Sequence, residues 1–460
     1  MQQERSKIEV SITSFINGQW QLNLLDASVI EELYFIEDMF AYNITGKIIF
    51  NDTQGLLDTG GLISDADVWV SYGDGATNNS DGPVQQSLVN FKIQKISKIN
   101  PTKSAKFKDI SNSNILELIL VDPHYNKMVS QKYSRSWSKT KVTTIIEDIL
   151  TNMTGWDTLM IDPLVAQGSN EIDFYMPYWT PLQALNWLLE RLTIGDEYGF
   201  CCYNSIDDPG GGWGSLIKLD CLENLLTQDT LLKDPGEGIF KLESGSSIDY
   251  NRVLSYQMSG VDTFNNKQLR GGHVMGYDFE RKKLIDEKFQ YSGTSKSGDI
   301  NTLADKVTTL GKWTLLKGTS DVVDSSLWTK DTESNVTIVG ESDEKNIKSI
   351  THNNWIKTYC SQNILYITVK GHESRRAGKM IEIQWPPTNS TLNLYNPNLH
   401  GKYLIKSVTH HFDVNNKPFY KQKLCLIKNA YSYDDINDDM LYKSPKQPND
   451  KISNKGILQS

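Results

Sequence analysis

Cysteine is scarce in this 460-residue chain: Cys201, Cys202, Cys221, Cys360 and Cys425 are odd in number and show no CxxC spacing. That usage fits reduced thiols and cytosolic assembly, and it argues against a disulfide framework or a zinc site. Long apolar runs are also missing. No stretch approaches about 18 apolar residues and none follows Met1, so the sequence predicts neither a membrane span nor a signal peptide. Positive charge is in deficit, with 47 Lys and Arg against 56 Asp and Glu, a net charge of −9 and a pI near 5.4. A duplex-gripping protein usually carries a clustered basic face, so this balance argues against specific nucleic-acid binding.

Catalytic constellations are lacking too. The seven His are scattered; His410 and His411 are adjacent on an expected strand and so point to opposite faces, a poor geometry for one metal. His372-Glu373 has no second His at zinc-protease spacing, and the glycine-rich Gly210–Gly214 is followed by neither the Lys nor the Ser/Thr of a phosphate cradle. Carboxylates are abundant but form no placed acid/base pair, and they read as solvated faces. No catalytic, metal or cofactor site is therefore expected, and the chain is read as not an enzyme.

What the chain does have is aromatic residues, 21 Tyr and 11 Trp, which suit sheets and protein interfaces. Trp179, Trp187, Trp355 and Trp385 are read as core. At 52.2 kDa the chain exceeds a single core, so two to four domains are expected.

The pattern is mainly β. In the first 121 residues Ile8, Val10 and Ile12 alternate, as do Ile44, Gly46, Ile48 and Phe50; Val68 and Val70, then Val89, Phe91 and Ile93, then Leu116, Leu118 and Leu120 mark further strands. Asn17-Gly18 reads as a turn and Gly73–Pro83 as an exposed loop able to touch a partner. Near the C-terminus four strands are expected, Ile364–Lys370, Met380–Trp385, Lys402–Phe412 and Tyr420–Lys428, broken by Gly371, Gly378, Pro386-Pro387, Pro397, Gly401 and Asn415-Asn416. Leu254–Val261 is assigned to the same unit.

Two helices interrupt the strands. Val142, Ile145, Ile146, Ile149, Leu150 and Met153 form one apolar face that ends near Gly155. Thr180-Pro181-Leu-Gln183 is a capping box with Pro at the first helical position, leading into Leu185, Leu188, Leu189 and Leu192. The strand Tyr198–Tyr203 and a hairpin partner at Leu216–Leu219 follow. Between 263 and 362 the pattern is hard to read, with a charged stretch at Glu280–Lys288 and a helix expected at Ile300–Leu310; Tyr433–Ser460 is polar and reads as a flexible tail.

The runs Leu365-x-Ile-x-Val-x-Gly371, Arg376-Ala-Gly378-Lys-x-Ile-x-Ile383 and Leu399-x-Gly401-x-Tyr-Leu-Ile-x-x-Val408-x-His410 resemble the closing domain of the baseplate hub proteins of contractile-tailed bacteriophages. That superfamily includes late-control tail proteins and the N-terminal half of type VI secretion spike proteins. Tyr34-Phe35-Ile-Glu-Asp38-Met-Phe40, with Gly46-x-Ile-x-Phe50-x-Asp52 and Gly55-Leu-Leu57, is similar to the family's first tube domain, and the helix–strand–hairpin segment is similar to its small α+β domain.

The resemblance implies a mainly β fold with an α+β subdomain: a first barrel-like tube domain at 1–122, an α+β hub domain at 123–245, a second barrel-like tube domain at 246–262 and 363–432, an inserted domain at 263–362 and a tail at 433–460. It implies a structural hub in the virion, assembled in the host cytoplasm as a homotrimer whose six barrels fit a threefold central spike to a sixfold tail tube. Other partners expected are a tube-initiator protein, baseplate wedge proteins and the tape measure protein, with DNA passing through the channel unbound. Interface candidates are Tyr34 and Asp38, Lys92 and Lys95, and Arg375 and Arg376, the last two lying in a turn that is either an inter-subunit ion-pair site or ordinary solvated surface. The rival classes are a tail-associated cell-wall hydrolase and the spike component of a contractile secretion system.

Overall fold

The computed structural model describes residues 7–16, 19–73, 87–99, 115–156, 159–194, 199–206, 216–222, 225, 239–241, 251–258, 271–278, 283–290, 336–339, 349–350, 353, 364–372, 374–384, 401–413 and 419–427. The expected turn at Asn17-Gly18, the loop beyond Gly73, the Gly210–Gly214 loop, the helix at Ile300–Leu310, Trp355, Trp385 and the tail lie outside the described residues.

The first β unit comprises Lys7–Ile16 (β1), Gln19–Leu25 (β2), Ile30–Asp38 (β3), Thr45–Asn51 (β4), Asp67–Gly73 (β5), Ser87–Ile99 (β6) and Ile115–Val121 (β7). Its strands lie in the order β3-β4-β7-β6-β5-β1-β2, each antiparallel to its neighbour. Alternation decides which side faces in: Leu33, Phe35 and Glu37 of β3 are buried while Tyr34, Ile36 and Asp38 are half-buried. The sheet curls on itself. The Phe35 ring lies 5.2 Å from that of Tyr72 on β5 and 6.0 Å from that of Phe91 on β6, although two or more strands separate them along the sheet. This closure produces one core from Ile12, Phe35, Ile48, Val68, Phe91 and Leu118.

An α+β unit follows, with Tyr125–Ser130 (α1), Tyr133–Lys141 (β8), Val142–Asp148 (α2), Leu159–Ile161 (β9), Pro163–Gly168 (α3), Glu171–Trp179 (β10), Pro181–Arg191 (α4), Phe200–Ser205 (β11) and Leu216–Cys221 (β12). The apolar stripe expected over Val142–Met153 is buried throughout, but its last turn, Ile149–Thr154, widens to a π-helix before Gly155 closes it at φ 80°. At α4 the capping box is complete: the Gln183 N–H donates to Thr180 Oγ1 at 3.3 Å and the Thr180 N–H to Gln183 Oε1 at 3.0 Å. Trp179 and Trp187 pack against this unit's core, the latter stacked 4.7 Å from Phe174.

The second β unit contains Ile239–Lys241 (β13), Val253–Met258 (β14), Ile364–Lys370 (β18), Met380–Gln384 (β19), Gly401–Asp413 (β20) and Tyr420–Ile427 (β21). Between β14 and β18, Gly271–Asp278 (β15), Lys283–Gln290 (β16) and Val336–Val339 (β17) form a separate three-stranded sheet, so the charged stretch read at Glu280–Lys288 is in part a strand. The order β14-β18-β21-β20 is antiparallel, β19 lies against the start of β20, and β13 runs parallel to β19.

The two β units share one strand ladder. From Ser407 opposite Asp38 to Asp413 opposite Glu32, the second half of β20 pairs with β3, producing a continuous 13-stranded sheet. Phe412 and Tyr420, from the second unit, are buried in the core of the first. The fold is mainly β with a small α+β portion, as the sequence predicts.

Candidate functional site

The strongest concentration of buried polar chemistry lies at the seam between β3 and β20. Glu37 occupies an inward-facing position of β3, in phase with Leu33 and Phe35, and is fully buried. A buried carboxylate must be paired and hydrogen-bonded to remain charged. Here His410 Nε2 lies 2.9 Å from Glu37 Oε1, and Arg376 Nη1 lies 3.7 Å from the same oxygen. Ser205 Oγ and the Ile206 N–H donate to Oε2, each at 3.4 Å. The carboxylate, itself carried by the first β unit, thus gathers groups from the α+β unit and the second β unit.

His410 is itself fixed on every side. Its ring stacks on Phe35 at 4.5 Å, and its Nδ1 lies 2.7 Å from the Tyr420 hydroxyl. The arrangement selects the neutral tautomer with the proton on Nε2, which donates to Glu37 while Nδ1 accepts from Tyr420. Gln422 continues the chain, donating from Nε2 to the Tyr420 hydroxyl at 2.9 Å and to the His372 carbonyl at 2.8 Å. The Arg375 guanidinium donates to Gln422 Oε1 at 3.1 Å, to Asn251 Oδ1 at 3.3 Å and to the Lys370 carbonyl. Arg376 also donates to Ser87 Oγ at 3.0 Å, which ties β6 to the same network.

The protonation states follow from these surroundings. Burial pushes the Glu37 carboxyl up, but the Arg376 guanidinium and the His410 hydrogen bond outweigh it and hold the group below its ordinary value. Burial lowers His410 to about 4 against the pull of Glu37, and burial with the Arg375 and Arg376 charges lowers His372 to about 3. Burial lifts Tyr72 to about 12 and Tyr420 well above the ordinary tyrosine value. At neutral pH the cluster therefore holds a carboxylate, two guanidinium cations, neutral imidazoles and neutral phenols. No member is poised to exchange a proton near pH 7, and the central groups are closed to solvent. Such an arrangement holds segments together.

The interface candidates separate on this geometry. Arg375 and Arg376 are buried inside the chain, which corrects the expectation of an exposed turn: their guanidiniums reach inward to Gln422, Asn251, Glu37 and Ser87. Tyr34 and Asp38 lie on the outer side of the seam, half-buried; Lys406 Nζ is 3.4 Å from Asp38 Oδ2, and Lys47 lies over the Tyr34 ring. Lys92 is engaged by Asp67 Oδ1 and the Asp65 carbonyl, each at 3.0 Å, whereas Lys95 is exposed. His411 faces away from His410, as alternation requires, and lies 3.0 Å from Glu32. Sequence reasoning passed over Glu37, although its place in the Leu33-x-Phe35-x-Glu37 alternation marked it as an acid in a core position. Among the described residues no group of three or more His, Cys, Asp or Glu could hold a metal ion, and no helix is long and apolar enough to cross a membrane.

No family model and no curated protein matches the sequence. Solved structures do resemble it in fold. A tail protein from Neisseria meningitidis is 11% identical, with 92% of this chain and 96% of that one covered and a TM-score of 0.49. The 43 kDa tail protein of prophage MuSo2 from Shewanella oneidensis is 8% identical, covering 92% and 97%, also at 0.49. An Escherichia coli component of the type VI secretion system, itself structurally similar to T4 bacteriophage tail proteins, is 10% identical, covering 87% and 73%, at 0.44.

Proposed function

We propose that the chain is a structural baseplate hub of a phage tail, three copies forming a ring in which two β units per copy supply six similar domains. A threefold central spike then meets a sixfold tail tube, and a channel remains for DNA. The observation that carries this reading is β20, which pairs with β19 and β21 in the second unit and with β3 in the first. An adaptor must hold its two domains in one fixed relation, and here a shared ladder and the buried Glu37, His410 and Arg376 contacts do so. The sequence resemblance at both ends of the chain supports the same assignment. In this reading the tube domains are residues 1–122 and 246–262 with 363–432, and 123–245 is the hub domain. The exposed Lys95 then faces tube, wedge or tape measure proteins.

Function in such a ring lies in shape, with no turnover. Three chains of −9 each carry −27, and a wall that does not attract phosphate lets a polyanion move through it. Multi-angle light scattering of the purified chain tests the reading: a mass of three times 52.2 kDa is expected. A stable monomer at micromolar concentration with the spike protein present refutes the ring, and lysis of peptidoglycan by the purified chain refutes a purely structural role.

A further inference from the structure

The two end strands of the 13-stranded sheet carry matching apolar stripes. Among the described strands β2 pairs with β1 alone and β14 with β18 alone. On β2, Trp20, Leu22 and Leu24 are 68%, 63% and 63% exposed; on β14, Leu254, Tyr256 and Met258 are 45%, 56% and 49% exposed. Each stripe repeats every second residue, so each lies along one strand for about 13 Å.

Register shows that neither stripe is ordinary surface. Directly opposed residues of an antiparallel pair share a face. Asn23 is opposite the buried Ile12 and Gln21 opposite the buried Ser14, so the polar residues of β2 are on the core side. Leu22 and Leu24 are opposite Thr13 and Ser11 and point outward, an inversion of the usual alternation. On β14, Met258 is opposite Leu365 and Tyr256 opposite Ile367, both buried in the core of the second β unit, so that core reaches the sheet end with its last side chains exposed.

We infer that the β2 stripe of one copy packs against the β14 stripe of the next, closing the ring head to tail. This rests on the ring reading above and names the surfaces that form it. The stripes differ in sequence and sit at opposite ends of one sheet, so their contact is heterologous, the kind that generates rings when the rotation closes. Each exposes roughly 300–400 Å² of side chain, the size of the largest apolar patch that a typical monomer leaves open. Together they supply about half of a standard interface of roughly 1,600 Å². The backbone edges of the two end strands, which pair with no further described strand, contribute to the remainder.

The test uses the full chain. Leu22→Glu and Met258→Glu, at exposed positions, are each expected to raise the concentration at which the trimer dissociates by at least tenfold, and the chain carrying both Leu22→Glu and Met258→Lys, which sets opposite charges against each other at all three contacts, is expected to recover association. Independently, Leu22→Cys and Met258→Cys chains mixed with a short bis-maleimide should give a two-chain product that neither variant gives alone, and the doubly substituted chain should give three-chain products. A wild-type trimer unaffected by both Glu variants, or no mixed product, overturns the interface and leaves the ring reading standing. A monomeric wild-type chain overturns both.

Discussion

Acidification from pH 7 to pH 5 should destabilise the fold through two histidines, His410 and His372. Burial holds His410 at about 4, and burial with Arg375 and Arg376 holds His372 at about 3, against an ordinary value of 6.5. Both folded values are depressed, so between the folded value and 6.5 the unfolded chain binds more protons, and stability falls as pH falls through that window. At pH 5 each unfolded imidazole is almost fully protonated while each folded one is neutral, so the loss is set by the distance from 6.5 to 5. That is about 2 kcal/mol per histidine, or about 4 kcal/mol if the two act independently. The groups facing His410 are Glu37 and Tyr420 with Arg376 nearby, and Glu37, against its burial, is held below its ordinary carboxylate value by the Arg376 charge and the His410 hydrogen bond. Urea denaturation followed by tryptophan fluorescence at pH 7 and pH 5 reads the loss, and the double variant His410→Gln, His372→Gln should show less of it. The ring resonances of labelled histidine provide a direct check. Equal midpoints at the two pH values, or a His410 ring that titrates near 6.5 in the folded protein, would refute the assignment of buried neutral imidazoles.

Three substitutions probe separate parts of the fold. Ile383→Asp places a charge in the fully buried core of the second β unit and should cost several kcal/mol and prevent folding; soluble, assembled variant would show that the strand's inward face is misassigned. Gly371→Ala introduces a Cβ that would strike the Tyr420 ring and should lower stability by about 1–3 kcal/mol, read as a fall in the thermal midpoint; an unchanged midpoint contradicts that close approach. Thr180→Ala removes the side-chain half of the α4 capping box and should cost about 1 kcal/mol, with faster amide exchange in the first turn of α4 as its local sign.

What could be read from the sequence follows the distance over which each signal acts. The strands β18, β19, β20 and β21 and the α4 capping box rest on neighbours within a few residues, and they stand where local patterning puts them. The β3–β20 ladder pairs residues as far apart in the chain as Glu32 and Asp413, and no local pattern encodes that register. Arg375 and Arg376 misled because charge was taken as a mark of surface. The better clue was the pair of glycines around them, since at Gly371 a Cβ would strike Tyr420 and at Gly378, with φ at 85°, it would strike Tyr203. Glycines that cannot be enlarged indicate crowding, and a charge amid crowding requires a buried counterpart. Glu37 supplies it from a core position of β3, and β2 shows the converse, with leucines on the outer side. Alternation therefore tells which residues share a face; a residue of the wrong polarity on that face shows that a partner, inside the chain or beyond it, must be found.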